Sequence, residues 1–123
     1  MSDRTGNPRL FIEDMIEYAS HIERFIRGKS EQDFLSDIQL QFAVIRAFEV
    51  LGEAAKLFTS AVSDAERRFP SIPFRKIYAT RNRLIHGYAS LEISVVWRIA
   101  SREITPLREA LEHSLQNWPG DLT

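Results

Sequence analysis

Apolar residues recur at every third or fourth position in three long stretches, and this spacing constrains the fold more than any other feature. The stretches run from Leu10 to Ile26, from Leu40 to Phe58 and from Val95 to Leu115. Residues three and four apart lie on one side of an α-helix, so each stretch predicts a helix with one apolar face. No stretch alternates apolar and polar residues as a half-buried strand would. The chain is therefore predicted to be all-α.

Glycine, proline and capping residues predict where the first two helices begin and end. Helix one is predicted over about residues 8–27, with Asn7 as N-cap, Pro8 as its first residue and Gly28 as its stop. The polar connector "KSEQDFLSD" has room for one helical turn. Helix two is predicted to start with a capping box of Ser36 and Gln39 and to reach about residue 59. Gly52 inside it costs about 1 kcal/mol relative to alanine, which indicates a close helix–helix approach.

The same signals divide the second half of the chain. Ser63 and Glu66 predict a capping box over a short turn. Pro73 is the predicted first residue of helix three, "PFRKIYATRNRLI", which Gly87 stops, and Pro106 is predicted to kink the last helix. We expect one domain, residues 1–123, folded as an antiparallel bundle of four to five helices with a kinked C-terminal helix and a disordered tail at residues 1–7.

Composition limits the class of protein. The chain has 123 residues, a size typical of one domain, and no cysteine, so disulfides and thiolate metal sites are excluded. The three histidines show no metal-ligand spacing, and we expect neither a metal nor another cofactor. There is no apolar signal core at the N-terminus and no run long enough to span a membrane. A soluble cytoplasmic protein is the expectation.

Positive charge is concentrated in one part of a chain whose net charge is only −1. Residues 67–91 contain six basic residues and no acidic one, namely Arg67, Arg68, Arg75, Lys76, Arg81 and Arg83. A local cationic field favours an anionic partner such as RNA. The alternative is that acidic residues on neighbouring helices offset this charge, and charge alone favours neither interpretation.

The segment "RNRLIHGY" carries the residues that suit phosphate chemistry. Arg81 can clamp phosphate oxygens through two parallel hydrogen bonds. His86 can accept or donate a proton near neutral pH, since an unperturbed imidazole has a pKa near ~6.5. Residues five apart on an ideal helix are separated by about 140° around its axis, so Arg81 and His86 do not share a face. Either the helix ends near His86, or two copies of the segment face each other across a dimer.

This segment resembles the R-x4-H-x-Y signature of HepT-like toxins, which belong to the HEPN superfamily of helical ribonucleases. The resemblance extends over "AFEVLGEAAK", "PSIPFRKIYATRNRLIHGYAS" and "VVW" in that order, which covers most of the chain from residue 36. One departure is Glu92, where the family pattern leads us to expect an aspartate. It affects how the last helix is capped rather than the chemistry.

The resemblance implies a metal-independent endoribonuclease that acts as a homodimer and cleaves RNA, with tRNA as the expected target. Arg81 and His86 from both subunits would be catalytic, and the RNA 2′-hydroxyl would be the nucleophile. Asn82 would orient the imidazole or hold a phosphate, and Arg83 would position the substrate. The family's partner is MntA, a nucleotidyltransferase antitoxin that attaches AMP to the motif tyrosine, which is Tyr88 here. Glu53 is expected as a supporting residue that holds Arg81.

Each of these residues also has a purely structural interpretation. His86 could interact with a helix dipole, Arg81 could form an ion pair with Glu53, and Tyr88 could cover the end of the bundle. The aromatic residues at helical spacing are expected in the core or at an interface, namely Phe11, Phe25, Phe42, Phe48, Phe58, Trp97 and Trp118. Two alternatives to a nuclease stay open. One is a non-catalytic helical subunit that binds a nucleotide or RNA and presents substrate to a nucleotidyltransferase, and the other is an assembly module for an acidic protein.

Overall fold

The chain folds into seven helices within the part that the structure describes. This computed structural model describes residues 6–86 and 92–120, and the side chains of residues 85 and 86 are not described. The helices are α1 (Arg9–Ile26), α2 (Glu31–Leu35), α3 (Ile38–Ala61), α4 (Ala65–Arg68), α5 (Phe74–His86), α6 (Ile93–Arg102) and α7 (Ile104–Gln116). Five of them have ten residues or more. The described ranges contain no strand, so the predicted all-α bundle is confirmed.

Helix α3 is the centre of the bundle because it packs against α1 and also against α5, while α1 packs in addition on α7. Contacts along α3 give the direction of α5. Phe58 on α3 stacks on Phe74 at the start of α5, with ring centroids 5.0 Å apart. Gly52, which comes earlier on α3, lies against Ile77 and Arg81, which come later on α5. The two helices therefore run antiparallel.

The apolar faces that the spacing predicts form one core. Helix α1 buries Phe11, Ile12, Met15, Ala19 and Ile22, and α3 buries a wider set because it has neighbours on two sides. Trp118 packs on Phe69 and Phe58, and Trp97 packs on Phe34, so both tryptophans line the core as expected. Phe42 is the exception among the phenylalanines, since 63% of it is exposed.

The N-terminal ends of the first helices differ from the prediction by one residue. Helix α1 begins at Arg9 and Pro8 occupies the N-cap position, so no side chain caps it. The predicted capping box of Ser36 and Gln39 is wrong. Asp37 caps α3 by accepting a hydrogen bond from the Leu40 amide, because the Ser36 hydroxyl donates to carbonyls at the end of α2. A capping box is present one helix earlier, between Ser30 and Asp33.

The starts of α4 and α5 also lie one residue later than predicted. The predicted capping box of Ser63 and Glu66 is wrong, since Asp64 precedes α4 in a left-handed conformation with φ of 58°. Helix α5 begins at Phe74, one residue after Pro73, whose carbonyl accepts from the Ile77 amide. The predicted stop of this helix at Gly87 lies outside the described residues.

Pro106 has a larger effect than the predicted kink. Helix α6 ends at Arg102 and α7 begins at Ile104. Proline has no amide hydrogen for the carbonyl four residues earlier, and its ring clashes with that turn, so the helix breaks.

Across the described ranges, no helix has the length and apolarity needed to cross a lipid bilayer.

Candidate active site

Arg81 occupies a position of α5 that would ordinarily hold an apolar residue. Phe74, Ile77 and Leu84 form the buried stripe of this helix, and Arg81 falls on the same stripe, four residues after Ile77 and three before Leu84. Residues at such spacings share one face of a helix. The guanidinium is therefore directed between α5 and α3 and not into open solvent, and only 22% of the side chain is exposed.

Gly52 on α3 makes room for Arg81. A Cβ added to Gly52 would lie 2.9 Å from Cγ of Arg81 and 3.2 Å from the Ile77 carbonyl oxygen, and closer still to Cβ of Arg81. Real Cβ atoms do not approach other atoms so closely, so a side chain at position 52 would push α5 away from α3. The predicted close helix–helix approach at Gly52 is confirmed, and its partner is the stem of Arg81.

Two neighbouring side chains hold the guanidinium. One terminal nitrogen of Arg81 lies 3.1 Å from Oε2 of Glu53, and the other donates to Oδ1 of Asn82 at 3.0 Å. The structural interpretation of Arg81 as an ion-pair partner of Glu53 is thus correct. The two contacts engage only part of the five N–H donors of an arginine. The Nε–H is buried and has no hydrogen-bond acceptor within the described residues, which is uncommon because an unsatisfied buried donor costs about 1–3 kcal/mol.

A groove of about 360 Å³ lies beside Arg81 and Glu53 and is lined by residues of α1, α3 and α5. Its wall on α1 includes Phe11 and Asp14, and its floor on α3 includes Val50, Ala54 and Leu57 together with Arg46 and Glu49. The groove therefore joins an apolar floor to charges of both signs. Arg46 and Glu49 belong to no recognisable motif, although their spacing of seven and four residues from Glu53 places them near its face of the helix.

The cationic stretch of the sequence is largely offset in space. Arg67 pairs with Asp64 at 3.0 Å, Arg75 with Glu66 at 3.6 Å, and Arg81 with Glu53. Lys76 lies 2.6 Å from Glu103, at the junction of α6 and α7. The alternative of acids on neighbouring elements is therefore correct for three of the six basic residues, Arg75, Lys76 and Arg81, while Arg67 pairs with the N-cap residue of its own helix. Charge density alone gives no support for an anionic partner, so the case for one depends on how individual residues are placed.

Arg83 and Asn82 are both exposed on α5. The described contact of Asn82 is its bond to Arg81, which makes it a candidate to position that side chain.

In the described residues, no group of three histidine, aspartate or glutamate side chains is arranged to hold a metal ion.

Comparison with known proteins identifies the family of this chain. The ribonuclease HepT-like family matches residues 15–114, which is most of the chain. The chain belongs to this family. Among its relatives, "Probable ribonuclease HepT" of Thermococcus cleftensis is 38% identical over 83% of this chain and 90% of the relative. A protein of Methanocaldococcus jannaschii that is named as a candidate RNase is 30% identical over 91% of this chain and 90% of its own length. No solved structure matches significantly.

The HepT-like match includes both residues of the predicted catalytic pair, Arg81 and His86. The backbone of α5 is helical from Arg81 to His86, so the five-residue separation carries the angular offset of a regular helix. The side chain of His86 lies outside the described residues, and so does Tyr88. Among the predicted site residues, the structure therefore describes the side chains of Arg81, Asn82, Arg83 and Glu53.

Proposed function

We propose that this HepT-like ribonuclease is a metal-independent endoribonuclease toxin that uses the 2′-hydroxyl of RNA as its nucleophile. The 2′-oxygen attacks the adjacent phosphorus while the bond from phosphorus to the 5′-oxygen breaks, which leaves a cyclic phosphate on one product. A base takes the 2′-hydroxyl proton, an acid protonates the leaving 5′-oxygen, and a cation stabilises the charge on the phosphorane. His86 supplies the proton transfers and Arg81 the charge.

The placement of Arg81 is the observation that carries this proposal. An arginine on the buried stripe of α5 is opposite a glycine and held by Glu53 and Asn82. A guanidinium fixed before substrate arrives loses little freedom when it binds a phosphate. Its remaining N–H donors and its partial exposure suit a phosphate oxygen. Arg83, exposed one turn from His86, suits a contact to the RNA backbone.

The helical backbone between Arg81 and His86 favours a site made by two copies of the chain. Residues five apart on a helix are about 140° apart around its axis, so one α5 helix does not direct both toward one phosphate. A homodimer removes the difficulty because Arg81 of one protomer can act with His86 of the other.

The regulatory part of the proposal concerns Tyr88. A nucleotidyltransferase antitoxin of the MntA type would attach AMP to its hydroxyl and silence the enzyme. The added phosphodiester would bring negative charge and bulk two residues from His86, where RNA phosphates must bind. The proposed setting is a toxin–antitoxin pair in the cytoplasm with tRNA as the target. Mass spectrometry after co-expression should detect the AMP adduct, and an inactive complex with unmodified Tyr88 would contradict it.

The experiment that tests the nuclease compares the purified protein with Arg81→Ala and His86→Ala on an RNA substrate. Both variants should lose cleavage while circular dichroism shows an intact fold. A 2′-deoxy nucleotide at the cleavage position should block the reaction, because it removes the nucleophile. Excess EDTA should leave the rate unchanged, and a bell-shaped pH profile is expected. Loss of cleavage in EDTA would overturn the metal-free mechanism.

The same experiment addresses the alternative of a non-catalytic subunit. The ion pair of Arg81 with Glu53 is the observation that favours it, since a paired arginine can be purely structural. In that case RNA or a nucleotide would bind without being cleaved, and His86→Ala would leave binding unchanged.

A further inference from the structure

The exposed face of α3 has an unusual order of residues. It includes the exposed Ile38, Phe42, Arg46 and Leu57 and the half-buried Glu49 and Glu53, and the exposed polar residues Gln39, Lys56 and Ser60 lie beside them. Taken in chain order, the first six are spaced 4, 4, 3, 4 and 4 positions apart, so the spacing is the same from either end. On a helix these six residues fall within about 100° of one another around the axis, which makes them one continuous stripe. We call it the α3 stripe.

The chemistry of the α3 stripe is symmetric at its two ends and at its centre. Its two ends are exposed apolar residues, Ile38 at 63% and Leu57 at 40% exposure. Its centre is an opposite-charge pair, Arg46 and Glu49, whose nearest side-chain atoms are 3.5 Å apart. A face of this kind complements a second copy of itself turned end to end, as the interface of a twofold dimer requires, because each contact then occurs twice.

We infer that two copies of this chain pair through their α3 stripes, antiparallel, with Phe42 of each copy in the groove beside Arg81 of the other. The inference rests on the dimer of the proposed function and assigns its interface. With the twofold axis between positions 47 and 48, Ile38 faces Leu57 of the other copy, and Arg46 faces Glu49 of the other copy. Phe42 then faces Glu53, which holds Arg81.

The exposure of Phe42 and the lining of the groove both support this contact. Phe42 is 63% exposed within a long helix, which is unusual for so large an apolar residue. The groove that would receive it has an apolar floor of Val50, Ala54 and Leu57. A phenyl ring next to the guanidinium of Arg81 adds a cation–π contact and removes water from the ion pair with Glu53. The site is thus incomplete in one protomer, since the other supplies this cover.

Charge reversal tests the pairing, because Arg46→Glu and Glu49→Arg each place like charges opposite each other in the homodimer. Each variant alone should raise the dimer Kd by at least about tenfold in analytical ultracentrifugation. Mixed together, the two variants should form a heterodimer, since every position 46 of one copy then faces an opposite charge at position 49 of the other. If the single variants acted only by breaking the Arg46–Glu49 pair within each α3 helix, mixing them would not restore dimer formation. Arg9→Glu and Glu13→Arg, an exposed pair on α1, are the matched controls and should leave the Kd unchanged.

Cross-linking supplies an independent test, because the chain has no cysteine of its own. The double variant Ile38→Cys/Leu57→Cys should give a covalent dimer with a short bis-maleimide. The two positions are about 28 Å apart along one helix, too far to be bridged within one copy. Each single variant should stay uncross-linked, because position 38 faces position 57 and not another position 38.

The outcomes separate this interface from the nuclease itself. A dimer that resists both charge reversals and does not cross-link overturns the α3 interface and leaves the dimeric nuclease in place. A monomer at all concentrations overturns the interface as well. If the cross-link and the heterodimer form but Arg81→Ala cleaves RNA like the unmodified protein, the interface stands and the catalytic role of Arg81 fails.

Discussion

Arg81 is a charged residue on the core-facing stripe of a helix, and three neighbours explain how the fold accommodates it. Gly52 leaves space for its stem, Glu53 neutralises its charge, and Asn82 accepts one of its hydrogen bonds. Removing one partner of a partly buried pair leaves the other charge uncompensated. The three neighbours are therefore expected to act together on the guanidinium.

We predict that Gly52→Ala destabilises the fold by about 1–3 kcal/mol, although alanine is the better helix former. The added methyl group would meet Cβ and Cγ of Arg81 and the Ile77 carbonyl, none of which is the flexible end of a side chain. Urea unfolding measures the change. Gly6→Ala is the control, because nothing lies within 4 Å of a Cβ there, and its effect should stay within about 0.5 kcal/mol. An unchanged midpoint for Gly52→Ala would contradict the close approach.

We predict that Glu53→Gln lowers kcat/KM for RNA by about tenfold, which is about 1.4 kcal/mol of transition-state stabilisation. Glutamine keeps the shape of the side chain but removes the charge that orients Arg81. The fall should be smaller than that of Arg81→Ala, since Glu53 acts through the arginine. Glu66→Gln removes the partner of Arg75, with a similarly exposed carboxylate, and should leave cleavage unchanged. Equal activity in both variants would show that Glu53 has no positioning role.

At the scale of helices, one polar cluster joins the first and last helices. Glu23 on α1 accepts hydrogen bonds from Nε of Arg108 and from the Thr105 hydroxyl on α7, both at 2.5 Å, and Arg108 also pairs with Glu112. Partial burial raises the pKa of Glu23, but the hydrogen bonds from Arg108 and Thr105 outweigh it, so the net pKa lies below its ordinary value. The same carboxylates raise the pKa of Arg108.

This pKa shift predicts a pH-dependent contribution to stability. A carboxyl group whose pKa is lower in the folded state stabilises the fold above its unfolded pKa, and the effect disappears as pH falls through the folded pKa. At pH 7, Glu23→Gln should lower the free energy of unfolding by about 1–3 kcal/mol. By about pH 3, below the ordinary pKa of glutamate, the two proteins should be closer in stability. Glu13→Gln, an exposed site on α1, should show little difference at either pH, and a difference for Glu23→Gln that does not change with pH would contradict this account.

The positions of the helices and the stop of α1 at Gly28 could be predicted from the sequence, but the N-terminal caps could not. In two places the prediction chose a serine, Ser36 or Ser63, where the structure has the neighbouring aspartate at the N-cap position. Either residue type can cap a helix. At the start of α3 the choice is made by the preceding turn, because the Ser36 hydroxyl is already bonded to carbonyls of α2. Such competition between adjacent elements has no signature in the local sequence.

At the scale of the whole molecule, the proposed site requires two copies, and mixing variants tests that requirement. Arg81→Ala and His86→Ala should each be inactive alone. If Arg81 of one protomer acts with His86 of the other, a mixed dimer of the two variants contains one intact site, and an equal mixture should recover up to about a quarter of the activity. Single-turnover cleavage after mixing measures it. An inactive mixture that contains heterodimers would show that each site lies within one protomer.

Local sequence patterns were sufficient to predict the all-α class, the approximate helix positions and the close approach at Gly52, and they suggested Arg81 and His86 as a candidate pair. These follow from local periodicity, from the conformations of glycine and proline, and from side-chain chemistry, all of which act over a few residues. Helix packing, in contrast, decided that three of the six basic residues of the cationic stretch pair with acids outside their own helix. It also decided that Arg81 lies over Gly52 against Glu53 and that Phe42 is left outside the core. Those outcomes depend on which helix faces meet, and that pairing is set by packing between residues far apart in the chain.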